Sequence, residues 1–212
     1  MTQVSENELR RERLQAALEG SPLWSDILTF DQVGSTNDIA KREGRRGASE
    51  GFVVVADEQT AGRGRLERRW IAPAGTSLLC SLLFRPHLPL AQAHRMTMLS
   101  SLAAADAVED VAALRPELKW PNDLVVTSSL PSARGEWRKL GGILTETELT
   151  GDRLACIVVG IGINVNVPAA DLPAVDPHAT SILAETGEAV DRSELLLALL
   201  TGVERRYQSL KD

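Results

Sequence analysis

The stretch AGRGRLERRW (61–70) packs two glycines and four arginines into ten residues and closes on a tryptophan. Glycine lets the backbone reach positive φ and come close to a ligand. Arginine offers a planar, permanently charged fork that matches carboxylate or phosphate. Together they suit an anion that has to be wrapped. The stretch is not a P-loop, because G-x-x-x-x-G-K-[ST] is absent. A solvated basic loop would have the same composition, so the stretch alone leaves both open.

Other residues could join it. Lys119 and Lys139 lie in or beside apolar runs at strand ends marked by proline or glycine. They can be snorkelling edge residues or phosphate partners. Asn122 and Asp123 of WPND read as a turn. GIGINVN (160–166) contains G-x-G, but Val165 stands where the dinucleotide fingerprint needs its third glycine. Tight packing at a strand end explains it equally well. His87, His94 and His178 show no metal spacing, and neither G-x-S-x-G nor H-E-x-x-H occurs. Cys80 and Cys156 each sit inside an apolar run and read as reduced core thiols.

These residues need elements to hold them. Residues 6–18 have helical spacing and end at Gly20. Strands are expected at 27–33, 52–58, 76–84, 117–126, 139–149 and 153–167. STND (35–38) has the capping-box pattern, from Ser35 to Asp38, and opens a helix to about Arg46. The longest helical pattern is 90–114, with Met96, Leu99, Leu102 or Ala103, and Val111 on one face. A last helix, about 192–208, is capped by Asp191 or Ser193. The Ser/Pro/Gly-bearing segment 127–138 is expected to be disordered, and 167–179 is a long proline-rich loop.

The totals set limits. The chain has 212 residues, 43% hydrophobic, with a formal net charge of -6. That is enough for one good core. The negative balance argues against a general nucleic-acid backbone binder. No apolar run approaches the roughly 20 residues of a membrane span, and the polar N-terminus lacks a signal-peptide core. A cytoplasmic protein is expected.

Taken in order, STND (35–38), DEQTAGRGRLERRW (57–70), KWPNDLVV (119–126), KLGGILTE (139–146) and GIGINVN (160–166) resemble the catalytic domain of biotin protein ligases. The likeness covers about 27–208. It implies an α/β domain with a central mixed sheet flanked by helices, related to class II aminoacyl-tRNA synthetases. A helical extension (1–26) would precede the catalytic domain (27–212). It implies two half-reactions: biotin and ATP give biotinyl-5′-AMP and pyrophosphate, and biotin then passes to one lysine of a carboxylase's biotin carboxyl carrier domain. Mg²⁺ would accompany ATP, held largely by phosphate oxygens and water, with no dedicated protein cage.

By resemblance, Ser35, Thr36 and Asn37 would line the biotin head-group pocket, and Gln59 would contact biotin. Arg63, Gly64 and Arg65 would hold the carboxylate and phosphates, with Gly62 in the same loop and Trp70 packed on its far side. Lys139 would reach the carboxylate and the adenylate. Arg63, Arg65 and Lys139 are thus the expected catalytic residues. Asn122 would orient phosphate or metal, Asn164 would lie by the nucleotide, and Gly142 and Gly162 would contact ligand. Lys119 would support this wall. The winged helix of the family's repressor-type relatives is not expected in these residues, and with it operator binding; nor is the C-terminal SH3-like domain that many members carry, whether the chain is naturally short or truncated. Relatives dimerise through sheet edges near the loop, which makes a homodimer an expectation. A lipoate or octanoyl ligase of the same fold, and a catalytically weakened biotin-binding homologue, are the alternatives. Nucleic-acid binding through the arginine loop is disfavoured by charge and by the few aromatics.

One position departs from the family's G-R-G-R-x-G-R. Glu67 stands where the later glycine stands. If that position needs positive φ, glutamate costs roughly 1 kcal/mol there, and it sets a negative charge beside phosphates unless it pairs with Arg68 or Arg69. Glu67→Gly is therefore expected to tighten biotin or adenylate binding, about fivefold for that energy, in a calorimetric titration. An unchanged affinity overturns this.

Overall fold

The computed structural model describes residues 9, 11–66, 68–130 and 133–211. Seven strands form one sheet in the order β1-β2-β3-β7-β6-β5-β4. They are β1 (Asp26–Val33), β2 (Phe52–Gln59), β3 (Ser77–Phe84), β4 (Glu117–Lys119), β5 (Asp123–Thr127), β6 (Trp137–Thr150) and β7 (Arg153–Asn164). Only β1 and β2 run parallel; each other neighbouring pair is antiparallel. A parallel pair needs a crossover, and helix α2 (Thr36–Arg45) supplies it. The sheet is therefore mixed, as expected.

Helices cover both faces. On one, α1 (Arg11–Ala17), α3 (His94–Ala112) and α6 (Arg192–Lys211) bury the main core, which includes Leu14, Trp24, Phe84, Met96, Ile161, Leu199 and Tyr207. On the other, α2 closes a smaller cluster of Ala40, Phe52, Val54, Leu83, Cys156 and Val158. With both faces covered, every residue of β3 is buried, which is why its sequence reads as an unbroken apolar run. Cys80 and Cys156 are buried and unbridged. No helix among the described residues is long and apolar enough to cross a membrane.

Several local expectations change. The expected strand 117–126 is a hairpin of β4 and β5, turning at Trp120–Asn122. Pro121 cannot donate to a ladder, so a strand is cut there. The capping box does not form: Ser35 is the N-cap of α2 but its side chain makes no cap bond, and Asp38 pairs with Arg63 and Lys41 instead. In α3, Ala103 is buried while Leu102 is 46% exposed. Asp191 caps α6, accepting from the Ser193 and Glu194 N–H groups at 2.7 and 3.4 Å. The expected N-terminal helix is seen as α1 over 11–17; most of its earlier part lies outside the described residues.

The proline-rich loop contains α4 (Leu172–Val175). It then pairs with the start of β6: Lys139 N–H donates to His178 O at 2.7 Å, and Thr180 N–H to Lys139 O at 2.9 Å. A short helix unforeseen in the sequence, α5 (Ile182–Thr186), follows, with Ser181 accepting from Ala184 N–H and Gly187 at φ 79°. Both are ordinary helix-end residues.

Segment 127–138 was expected to be disordered, but its first residues are tied down. The Glu185 carboxylate accepts from Ser128 Oγ (2.8 Å), Ser129 N–H (2.7 Å), Ser129 Oγ (3.0 Å) and Thr180 Oγ1 (2.6 Å). Burial pushes the Glu185 carboxyl up, but these donors outweigh it and hold it below the usual range. A depressed folded pKa means that the stabilisation is present above the unfolded value of about 4.3 and is lost as pH falls through the folded one. Glu185→Gln is expected to cost about 1–2 kcal/mol in urea unfolding at pH 7, with the gap from wild type shrinking below about pH 4. An equal gap at pH 7 and pH 3 contradicts this.

Candidate functional site

A cavity of about 530 Å³ lies between the ends of β2 and α2, the arginine loop, the β5–β6–β7 surface and the strap 175–179. Every site residue expected from sequence lines it except Gly62, and Lys119 lines it too. Gly62 works at the base of the loop instead. Its C=O accepts from Trp70 N–H at 2.9 Å, and a Cβ on it would lie 2.6 Å from Trp70 O. With Gly64 N–H donating to Arg68 O at 2.7 Å, the loop is a narrow hairpin.

One end of the cavity is a polar knot. Thr36 donates to Gln59 Oε1 from its N–H (2.7 Å) and from its hydroxyl (3.0 Å). Ser81 Oγ lies 2.7 Å from Thr36 Oγ1 and 2.6 Å from Asn37 Oδ1. Asn37 Nδ2 donates to Glu146 Oε2 at 2.7 Å. The sequence reading missed Ser81. Its only signal was a hydroxyl inside the apolar run SLLCSLLF, and a fully buried hydroxyl needs partners.

The floor is bare backbone. A Cβ on Gly160 would lie 2.3 Å from Asn37 Oδ1, and one on Gly162 would lie 2.7 Å from the Trp70 ring. Trp70 was expected on the far side of the loop. It lies instead on the cavity floor over Gly162, because only a strand without side chains there leaves room for an indole. Lys139 Nζ stands 5.8 Å from the centre of that ring, a cation–π distance, and pairs with Asp123 Oδ1 at 2.8 Å.

The two expected arginines differ. Arg65 makes one long bond, 3.3 Å, to Asn122 Oδ1. Asn122 is itself fixed by its Nδ2 bond to Ile143 O at 3.0 Å. Arg63 forms a two-pronged pair with Asp38, 2.7 Å on each prong, and reaches Glu146 at 3.2 Å. Its fork is thus occupied by protein carboxylates. The Arg63 bond is the main cause that holds Asp38 below the usual carboxylate range. Burial raises Glu146, but Lys41, Asn37 and Arg63 bring it below its usual value. Cys80, also on the cavity wall, is pushed up to about 12 by burial, which makes it a poor nucleophile.

The left-handed residue in the loop is Leu66, at φ 55°. Glu67 lies outside the described residues. Trp70 Nε1 and the buried Asn164 Oδ1 have no hydrogen-bond partner among the described residues. A donor and an acceptor are thus left on the walls of one cavity. No cluster of three or more His, Cys, Asp or Glu among the described residues is set to hold a metal.

Residues 29–164, more than half of the chain, match the profile of the Biotin/lipoate A/B protein ligase family. The chain belongs to this family. Within the family it is 34% identical over 206 residues to the bifunctional ligase/repressor BirA of Bacillus subtilis, covering 97% of this chain and 59% of that protein. It is 37% identical over 171 residues to the biotin–[acetyl-CoA-carboxylase] ligase of Paracoccus denitrificans, covering 78% and 66%. Among solved structures, it is similar to the biotin protein ligase from Aquifex aeolicus in complex with biotin and ATP. That match has a TM-score of 0.68 and 30% identity, and covers 89% of this chain and 72% of that one. The Leishmania major enzyme in complex with biotinyl-5-AMP gives 0.64 and 28%, covering 86% and 75%. The chain thus spans 59% of the length of its BirA relative.

Gly162→Ala is expected to push Trp70 off the floor, since the added methyl would sit 2.7 Å from its ring. The measurement is tryptophan emission with acrylamide quenching. A red shift with stronger quenching is expected, and an unchanged spectrum contradicts the packing.

Proposed function

We propose that the chain carries the adenylating centre of a biotin–[acetyl-CoA-carboxylase] ligase. The observation that supports this most is one cavity with a hydrogen-bonding knot at one end and Lys139 and Arg65 beyond it. Relatives named for biotin and neighbours holding biotin with ATP, or biotinyl-5-AMP, support it further.

The chemistry sets two tasks. Biotin's ureido group must find partners when buried, and the Ser35, Thr36, Asn37 and Gln59 end offers them. The biotin carboxylate must then meet a polyanionic triphosphate. Its oxygen attacks the α-phosphorus, pyrophosphate leaves with the P–O bonding pair, and a mixed anhydride remains. Negative charge gathers there in the transition state. Fixed cations at Lys139 and Arg65 lower that cost, more so where the walls exclude water. Asp123 holds the Lys139 ammonium in place. Asn164 Oδ1, the unpartnered acceptor, suits a nucleotide base donor. In the second step an uncharged carrier lysine attacks the anhydride carbonyl, AMP leaves, and the amine proton passes to solvent or AMP.

Mg²⁺ fits as the counter-ion of ATP. The hard oxygen donors at this lip are Asn122 and Asp123, too few for a protein cage, so phosphates and water would complete its shell. The proposal extends to a carboxylase carrier domain as acceptor, a cytoplasmic setting and a homodimer through a sheet edge.

The test is biotin-dependent pyrophosphate release from ATP without carrier, with lipoate as the competing acid. Release with biotin alone is expected. Release with lipoate instead would move the assignment to the lipoate branch of the family, and tight biotin binding without release would indicate a weakened homologue. Lys139→Met is expected to lower the rate by about a hundredfold or more, the scale for losing one preorganised electrostatic group. A variant within threefold of wild type contradicts that role.

A further inference from the structure

The arginine hairpin is a wall between two spaces. Behind it lies a second cavity, also about 530 Å³, bounded by Arg63–Leu66 together with His94, Met98, Trp120 and Glu146. A thin hairpin between two open spaces needs an anchor. Its backbone bonds at Gly62–Trp70 and Gly64–Arg68 tie it only to itself.

A closed set of four charges supplies the anchor. Arg63 from the loop binds Asp38 at 2.7 Å on both prongs and Glu146 at 3.2 Å. Lys41 binds the same two carboxylates, Asp38 at 3.3 Å and Glu146 at 2.7 Å. Two cations and two anions leave no net charge. The set joins three elements: α2 through Asp38 and Lys41, β6 through Glu146, and the hairpin through Arg63. Glu146 Oε2 also accepts from Asn37 Nδ2 at 2.7 Å, so one oxygen links the polar knot to the loop.

We propose that Asp38 and Glu146 are positioning residues that act through Arg63 to latch the hairpin against α2 and β6. In this arrangement Arg63 is a fastener, and Arg65 is the guanidinium that meets an anion. To contact a ligand, Arg63 would have to give up three charge-assisted bonds and leave Asp38 and Glu146 with Lys41 alone. Such bonds are among the stronger ones a side chain makes. Only the assignment of Arg65 rests on the proposed enzyme activity. The latch does not.

Limited proteolysis of the whole chain tests it. Trypsin can cut the hairpin after Arg65, Arg68 and Arg69. Arg63 and Asp38 side chains are 36% and 52% exposed, so the pair has the strength of a good surface bridge. Asp38→Asn and Arg63→Gln are each expected to speed cutting at these three sites about fivefold. The double variant should be no faster than Arg63→Gln alone, because Arg63→Gln already removes the contact that Asp38→Asn removes. Asp38→Glu, which keeps the charge, should restore slow cutting. Unchanged cutting in the single variants overturns the latch. So do effects that multiply in the double variant, or a parallel rise at sites outside the hairpin, which would report general loosening. Wild-type pyrophosphate release is read separately, so failure of the enzyme assignment and failure of the latch are distinct results.

Discussion

Two neighbouring strands can offer a floor only where they carry no side chains. On β7 that happens at Gly160 and Gly162, whose missing Cβ atoms leave the room taken by Asn37 and the Trp70 indole. A methyl at either place would overlap an existing atom, so the side chain resting there would have to move. The other parts of the site are arranged around this opening. The α2 N-terminus lies close enough to the sheet for Ser81 to reach both Thr36 and Asn37. The loop's closing residue lies flat on the backbone, and Lys139 stands over that ring.

The acidic balance of the chain and its basic loop fit together locally. Two of the cavity's cations are matched by protein carboxylates, Lys139 by Asp123, and Arg63 by Asp38 and Glu146, which Lys41 also binds. Pairing keeps each cation at a fixed place, and the cost of setting the charges beside one another is met during folding. Arg65, with its long bond to Asn122, and Arg68, Arg69 and Lys119 have no carboxylate partner among the described residues.

Much of this was legible in the sequence. The strands at 52–58 and 76–84 and the helix opening at Ser35 followed from apolar runs and helix-start residues, while the mixed sheet came from the family resemblance. All but one of the expected site residues meet at one cavity, because the motifs that carry them sit at strand ends, where a sheet gathers distant segments. What was not legible depended on long-range contacts. Ser128 and Ser129 are held by Glu185, more than fifty residues away in sequence. Trp70's place depends on a glycine 92 positions later, and Arg63's engagement on carboxylates 25 residues before it and 83 after it. Ser81 was hidden because one hydroxyl in an apolar strand looks like tolerated noise. The β4–β5 hairpin reads as one strand from its apolar residues, although Pro121 breaks the ladder and Asn122 and Asp123 signal a turn.

The knot at α2 has a direction. A backbone N–H can only donate, so Thr36 fixes which atom of the Gln59 amide is oxygen. The Thr36 hydroxyl then spends its own proton on the same oxygen, which leaves its lone pairs for Ser81. Among the described residues no acceptor takes a proton from the Gln59 NH₂. At the other side Asn37 gives its NH₂ toward Leu144 O and Glu146, and its Oδ1 shares the single Ser81 proton with Thr36 Oγ1. The fold therefore sets the polarity of this wall before any small molecule arrives. Its direction comes from the main chain, and of its two amides Gln59 alone keeps hydrogens that no described residue takes.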